Sequence, residues 1–278
     1  MRYGEIDLKD GKKTAAFYSQ PINRSLGLSA PGQLELVLNS PFALFGKDLY
    51  RWQNAGPYGG NLNEGGRQAQ RISDRIHKSL GEMDIKSCLC FDDSYTQEYY
   101  ISEGDSCLVY NYAADAWYKY SGLKACAFCR NGDSLLLGDS GGSIKELSYR
   151  WKSDEGRAIE ALFESGAMSF DKDFRRKFSG LLWIGLKPEN RGELFVTLGT
   201  DRRSVYEERR IVSSLAGFSP LSFSHWSFKT NRKPKVHRIK LKAKKFVYYK
   251  LIFRSRSAHS AATVLSSSLR LRFTGYAK

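Results

Sequence analysis

GDSCLVYNYAADAW (104–117) and GDSLLLGDSGGSI (132–144) decide how the chain is read. Both open on Gly-Asp-Ser, run through an apolar segment, turn on small or acidic residues and resume with an apolar residue. Asp and Ser side chains cap tight turns, and Gly permits the backbone such turns need. One hairpin is therefore written twice, and FGKDLYRW (45–52) is a shorter, looser copy. Repeated small sheets of this kind read as successive blades of a β-propeller. A blade cannot bury both faces alone, so neighbouring blades must stack.

The surrounding residues extend the series. ELVLNSPFALFGKDLYRW (35–52), FDDSYTQEYYIS (91–102), KACAFC (124–129) and SIKELSY (143–149) are short strand-like runs separated by turn residues. That spacing marks an all-β fold. About three blade equivalents fit in residues 1–150, whereas closure usually takes at least four. The expectation is an open stack, or a ring completed by another chain. NEGGRQAQRISDRIHKSLGEM (63–83) stands apart, with Ile72, Ile76 and Leu80 at four-residue steps and Gly81 as a stop. It predicts one inserted amphipathic helix of about three turns, with Arg67, Arg71, Arg75, His77 and Lys78 on its other faces.

From about residue 151 the texture changes. In HRIKLKA, Ile239 and Leu241 alternate with Arg238, Lys240 and Lys242; in SLRLRFTGY, Leu269, Leu271 and Phe273 alternate with Arg270 and Arg272. Period-two alternation buries one face and leaves the other in solvent. Seven or eight such strands predict an antiparallel β-sandwich. The domains are thus a β-propeller-like 1–150 and a basic β-sandwich-like 151–278. Residues 1–150 hold 17 Lys and Arg against 18 Asp and Glu; residues 151–278 hold 27 against 11, and the halves sum to the net +15. The basic half suits nucleic acid, an acidic partner subunit or an anionic surface, or is simply a solvated basic face. Its interaction surface is assigned to Arg232, Lys233, Lys235, Arg238, Lys240, Lys242, Lys244, Lys245, Arg270 and Arg272. Aromatics on a basic sheet can stack on bases, but Phe246, Tyr248 and Tyr249 read equally well as strand core.

Motifs for chemistry are sparse. GDSGG (138–142) matches the run around a trypsin-like nucleophile, but only His77 lies upstream, on the expected helix. Turn chemistry explains it better. GGNLNEGG (59–66) lacks the Lys-Ser/Thr of a phosphate loop. Asp92-Asp93 is a carboxylate pair placed in a turn. Cys88, Cys90, Cys126 and Cys129 could be argued as zinc ligands, but they alternate with Leu, Ala and Phe and pack better as small buried strand residues. No cofactor or metal is expected. No apolar run approaches the roughly 20 residues of a membrane span, and MRYGEIDLKDGKK reads as polar rather than as a signal peptide.

The order of the segments INRSLGLSAPGQLELVLNSPFALFGKDLYRW, LVYNYAADAWYKYSG, GGSIKELS, IEALFESGAMSFDKDFRRKFSGLLWIGLKPENRGELFVTLGTDRRS and TVLSSSLRLRFTGYAK resembles tailed-bacteriophage virion proteins. The resemblance implies a β-propeller followed by a β-sandwich-like C-terminal region, acting as a structural part of the neck or tail. It implies no active site and hence no enzyme. It implies other virion proteins as partners, a homo-oligomeric ring, non-specific contact with packaged DNA, no membrane insertion, and a virion location after synthesis in the host bacterial cytoplasm. The alternative is a propeller-based glycan- or receptor-binding module of the tail. The family carries more propeller ahead of PGQLELVLNSPF, which puts independent closure in doubt.

Overall fold

A computed structural model describes residues 2–7, 13–18, 26–54, 67–170, 173–188, 192–213, 233–258 and 262–276. The chain is all-β apart from short helical turns, and it divides into two compact units, Met1–Ser148 and Tyr149–Lys278.

The first unit opens with a hairpin of β1 (Arg2–Asp7) and β2 (Lys13–Tyr18). Three antiparallel meanders follow. The first sheet is β3 (Leu34–Val37), β4 (Ser40–Phe45), β5 (Asp48–Asn54) and β6 (Arg67–Arg71). The second is β7 (Leu89–Asp93), β8 (Glu98–Glu103), β9 (Ser106–Asn111) and β10 (Ala116–Ser121). The third is β11 (Ala125–Asn131), β12 (Ser134–Asp139) and β13 (Ile144–Leu147). In each, neighbours in the chain are neighbours in the sheet, the strand order of a propeller blade.

The three sheets stack in sequence. The first strands β3 and β7 lie side by side, as do β7 and β11. Val37, Phe42, Leu44 and Leu49 of the first sheet share a core with Cys90, Tyr99, Ile101 and Leu108 of the second. Tyr100, Cys107 and Val109, on the other face of the second sheet, pack with Leu135 of the third. Phe91 stacks on Phe128 across the same joint at 5.4 Å. The middle sheet is covered on both faces, so β8 is buried along nearly its whole length. Burying such side chains is worth about 1.5–3 kcal/mol each.

Both copies of the Gly-Asp-Ser run form antiparallel hairpins, but at different places in their sheets: β9–β10 are strands three and four of the second sheet, and β12–β13 are strands two and three of the third. The Gly that opens each copy, Gly104 and Gly132, turns the chain at φ 54° and 55°, and Gly46 does so at φ 65° in FGKDLYRW. Only Gly enters that region without steric cost. Leu38 and Asn39 also take positive φ, 48° and 60°, the two-residue turn that matches strand twist.

Two expectations are corrected. The inserted helix is one short turn, α1 (His77–Gly81), preceded by a 3-10 turn at Asp74–Ile76. Arg67–Arg71 is instead the edge strand of the first sheet, and residues 63–66 lie outside the described residues. Ile76 and Leu80 do reach the core, and Ile72 packs against it. The cysteines also divide: Cys88, Cys90 and Cys107 are buried, whereas Cys126 and Cys129 are exposed.

The second unit begins with a small hairpin, β14 (Ser153–Asp154) and β15 (Arg157–Ala158). It continues through β16 (Ala161–Glu164), β17 (Arg175–Leu186), β18 (Gly192–Thr200), β19 (Arg209–Ser213), β20 (Lys235–Phe246), β21 (Tyr249–Ser255) and β22 (Val264–Tyr276). One sheet runs β16-β21-β18-β19 and the other β20-β17-β22, all antiparallel. Leu182, Ile184, Ile239, Leu241 and Phe246 from one sheet meet Val196, Leu198, Ile211 and Leu251 from the other in a single core. This is an antiparallel β-sandwich.

Candidate interaction surface

Strand β20 carries six Lys or Arg, β17 three and β22 two, and none of these strands carries Asp or Glu. Register decides which cations share a face, because residues opposite one another in a ladder point the same way. Lys240, Leu181 and Arg270 form one row across the sheet. Arg238, Trp183 and Ser268 form a second, and Lys244, Phe178 and Arg272 a third. The alternate residues Ile239, Leu241 and Ala243 are buried, so these rows make the outer face. A half-buried strip of Phe178, Leu181 and Trp183 thus runs between two exposed cationic borders. Strands lie about 4.8 Å apart, which sets the borders roughly 10 Å from each other.

The bulges of this sheet re-aim its side chains. Lys245 is the extra residue between the pairs Phe178↔Lys244 and Lys177↔Phe246, with φ 57°. Strict alternation would turn Lys245 inward with Ile239, Leu241 and Ala243; the bulge instead leaves it exposed, outside the three rows, and turns Phe246 into the core. A second irregularity at Ser179–Leu181 skips Gly180, and the Phe178 ring lies against that glycine. Lys242, unpaired at the same irregularity, stays exposed.

Of the expected surface, Arg238, Lys240, Lys242, Lys244, Arg270 and Arg272 come together. Lys235 is exposed at the far end of β20 opposite Leu186, and Lys233 is exposed just before that strand. Arg232 lies outside the described residues. Among the described residues those six cations have no side-chain partner. Phe246 and Tyr249 are core, and Tyr248 lies exposed in the β20–β21 turn. Of the aromatics that do sit among the cations, Trp183 belongs to GLLWIGL (180–186), which shows no basic residues, and Phe178 closes RRKF (175–178). Only the pairing of β17 between β20 and β22 brings them there.

At the β20 edge, β19 of the opposite sheet comes alongside. An open groove of about 560 Å³ is lined there by Arg209, Arg210, His237, Arg238 and Lys240, among others. Arg209 is held by Glu207 at 2.8 Å and Arg210 by Glu193. Burial, with Lys235 alongside, pushes the His237 imidazole below its usual pKa.

The carboxylates of the first unit are a separate matter. Asp92 and Asp93 end strand β7 rather than lying in a turn. Asp93 is structural: its carboxylate accepts from Tyr95 N at 3.2 Å and from Thr96 Oγ1 at 2.8 Å. Asp92 is half-buried, and burial lifts its pKa to about 6, with Tyr112 opposing and Glu35 and Asp93 adding to the rise. Glu35, on β3, is also raised by burial. Two neighbouring first strands therefore bring Glu35 and Asp92 close enough to feel each other's charge. Ser140 of GDSGG sits in the exposed β12–β13 turn, where Asp139 Oδ1 accepts from Gly141 N at 2.7 Å. His77 Nδ1 faces Asp48 Oδ1 at 3.0 Å.

No protein-family profile matches the chain, and no curated protein matches it. Among solved structures it is similar to an exo-β-1,3-galactanase from Phanerochaete chrysosporium with galactose, at 7% identity and TM-score 0.23, covering 97% of this chain and 68% of that one. It is also similar to a glycoside hydrolase family 43 arabinoxylan arabinofuranohydrolase from Bacillus subtilis in complex with cellotetraose. There the identity is 8% and the TM-score 0.20, with 87% of this chain and 66% of that one covered. The expectation of a chain without enzymatic activity is corrected by this finding: both similar structures are glycoside hydrolases, and the exclusion is withdrawn. At these TM-scores neither likeness assigns an activity or a substrate to this chain.

Proposed function

We propose that the chain is a structural component of a tailed-phage virion, part of its neck or tail, and that it packs subunit to subunit through the ends of its blade stack. One observation carries this reading. The stack of three sheets closes both faces of its middle member and leaves apolar side chains on the outward faces of the other two. Leu34 and Leu36 on β3 are 52% and 67% exposed, and Ile144 on β13 is 78% exposed. Their strand neighbours Val37 and Leu147 face the stack interior.

A sheet with an open apolar face gains by covering it, at about 25 cal/mol per Å² removed from water. The two ends differ in sequence, so one end of a subunit meets the other end of the next. That is a heterologous contact, which generates a ring when its rotation closes. The resemblance of the segment order to tailed-phage neck and tail proteins supports the same reading. Mass spectrometry of purified virions from a phage encoding this chain tests it. The polypeptide is expected among the virion proteins at a stoichiometry above one copy. Its absence from intact particles contradicts the proposal.

A further inference from the structure

We propose that the outer face of the β20-β17-β22 sheet is a binding platform for single-stranded nucleic acid. The inference concerns the second unit and stands independently of the assembly reading, which rests on the first.

Three features converge. The first is unrelieved charge: the three strands hold Lys and Arg with no acidic residue. Arg238, Lys240, Lys242, Lys244, Arg270 and Arg272 have no side-chain partner among the described residues. Like charges so placed repel one another until a polyanion neutralises them.

The second is arrangement. Cations on alternate residues of β20 recur about every 7 Å, and the β22 border runs parallel to them about 10 Å away. A chain of phosphates can follow either border.

The third is the strip between the borders. Phe178, Leu181 and Trp183 fill the middle of the rows. Aromatic faces beside a cationic track are what unpaired bases stack on, at any sequence, because every base has a π-face. A duplex keeps its bases stacked internally and can use only the borders. An acidic protein partner would likewise use the cations and leave the aromatic rings without a role. The strip is what favours a single strand over both.

The test is fluorescence anisotropy on the whole chain with a labelled oligo-dT of about 20 nucleotides, compared with a duplex of the same length. With about six phosphates neutralised, affinity for the single strand should fall roughly a hundredfold or more between about 50 and 200 mM salt. Replacing Arg238, Lys240, Lys244, Arg270 and Arg272 together by Gln should flatten that salt dependence and weaken binding more than tenfold. Phe178→Leu with Trp183→Leu keeps the packing volume apolar; it should weaken oligo-dT about tenfold, leave the salt slope unchanged and leave duplex binding unchanged. Circular dichroism confirms that each variant keeps its β-structure. Absence of binding at low salt overturns the proposal, as does binding that ignores the five Gln substitutions. Duplex bound as tightly as oligo-dT, with both insensitive to the leucine pair, overturns it too. Polyglutamate of equal charge competing as well as oligo-dT would assign the face to an acidic protein instead.

Discussion

The Arg130 guanidinium on β11 lies 2.9 Å from the Asp93 carboxylate at the end of β7. The Asp93 side chain is 1% exposed and that of Arg130 22%, so one sheet of the stack anchors a charge buried in the next. Arg130 also lies over the Tyr95 ring at 4.3 Å and donates through Nε to the Gly132 carbonyl at 3.0 Å. The joint between the second and third sheets is therefore hydrophobic in its middle, at Phe91 and Phe128, and ionic at its end.

Removing one partner of that pair leaves a buried carboxylate with only its turn bonds. Arg130→Met should destabilise the first unit by about 2–3 kcal/mol, below the range for a fully enclosed pair because Arg130 is partly in water. Asp93→Asn added to Arg130→Met should recover part of the loss. Urea midpoints of the three proteins check this; equal midpoints for Arg130→Met and the parent would refute the anchoring role.

Asp92 sets a pH dependence with a definite sign. Its folded pKa of about 6 lies above the ordinary 3.8, so the folded state holds the proton more tightly than the unfolded chain. The associated stability is present below about pH 4, declines as the pH rises toward 6 and is gone above it. Asp92→Asn is neutral throughout. Its melting temperature should exceed that of the parent by a margin that widens from about pH 4 to 7 and then stays level. A margin independent of pH would contradict the burial argument.

Gly199 is a tight spot in β18. A Cβ there would stand 2.3 Å from the Ser204 carbonyl oxygen, which belongs to backbone and cannot swing away. At Gly185 the first obstacle is the rotatable Ser266 hydroxyl at 2.5 Å. Gly199→Ala should therefore cost about 1–3 kcal/mol and Gly185→Ala less. Denaturant midpoints that rank the two in the opposite order would show that the β18–β19 connection yields easily.

Local pattern carried much of the fold. Gly-Asp-Ser turns located two hairpins, and the alternation in HRIKLKA placed Ile239 and Leu241 inside with their lysine and arginine neighbours outside. Where the reading failed, the deciding physics was not local. Ile72, Ile76 and Leu80 keep a helical spacing, yet a 3-10 turn and one α-turn deliver Ile76 and Leu80 to the core as well as three turns would. RQAQR shows no strand pattern because β6 is an edge strand, held by its ladder to β5. Phe178 and Trp183 could not be placed among the cations from sequence. Their neighbours come from strands some 60 and 90 residues further along the chain, and bulges shift the register between them.

The central claim is that the two open ends of the blade stack pair with each other between subunits. It is tested most directly by cysteine cross-linking of Leu36→Cys with Ile144→Cys, in a chain where the exposed Cys126 and Cys129 are changed to Ser. Under mild oxidation, peptide mapping should find an inter-chain disulfide joining position 36 of one subunit to position 144 of the next, in species larger than a monomer. A chain that stays monomeric and unlinked, or that links only 36 to 36, would contradict it.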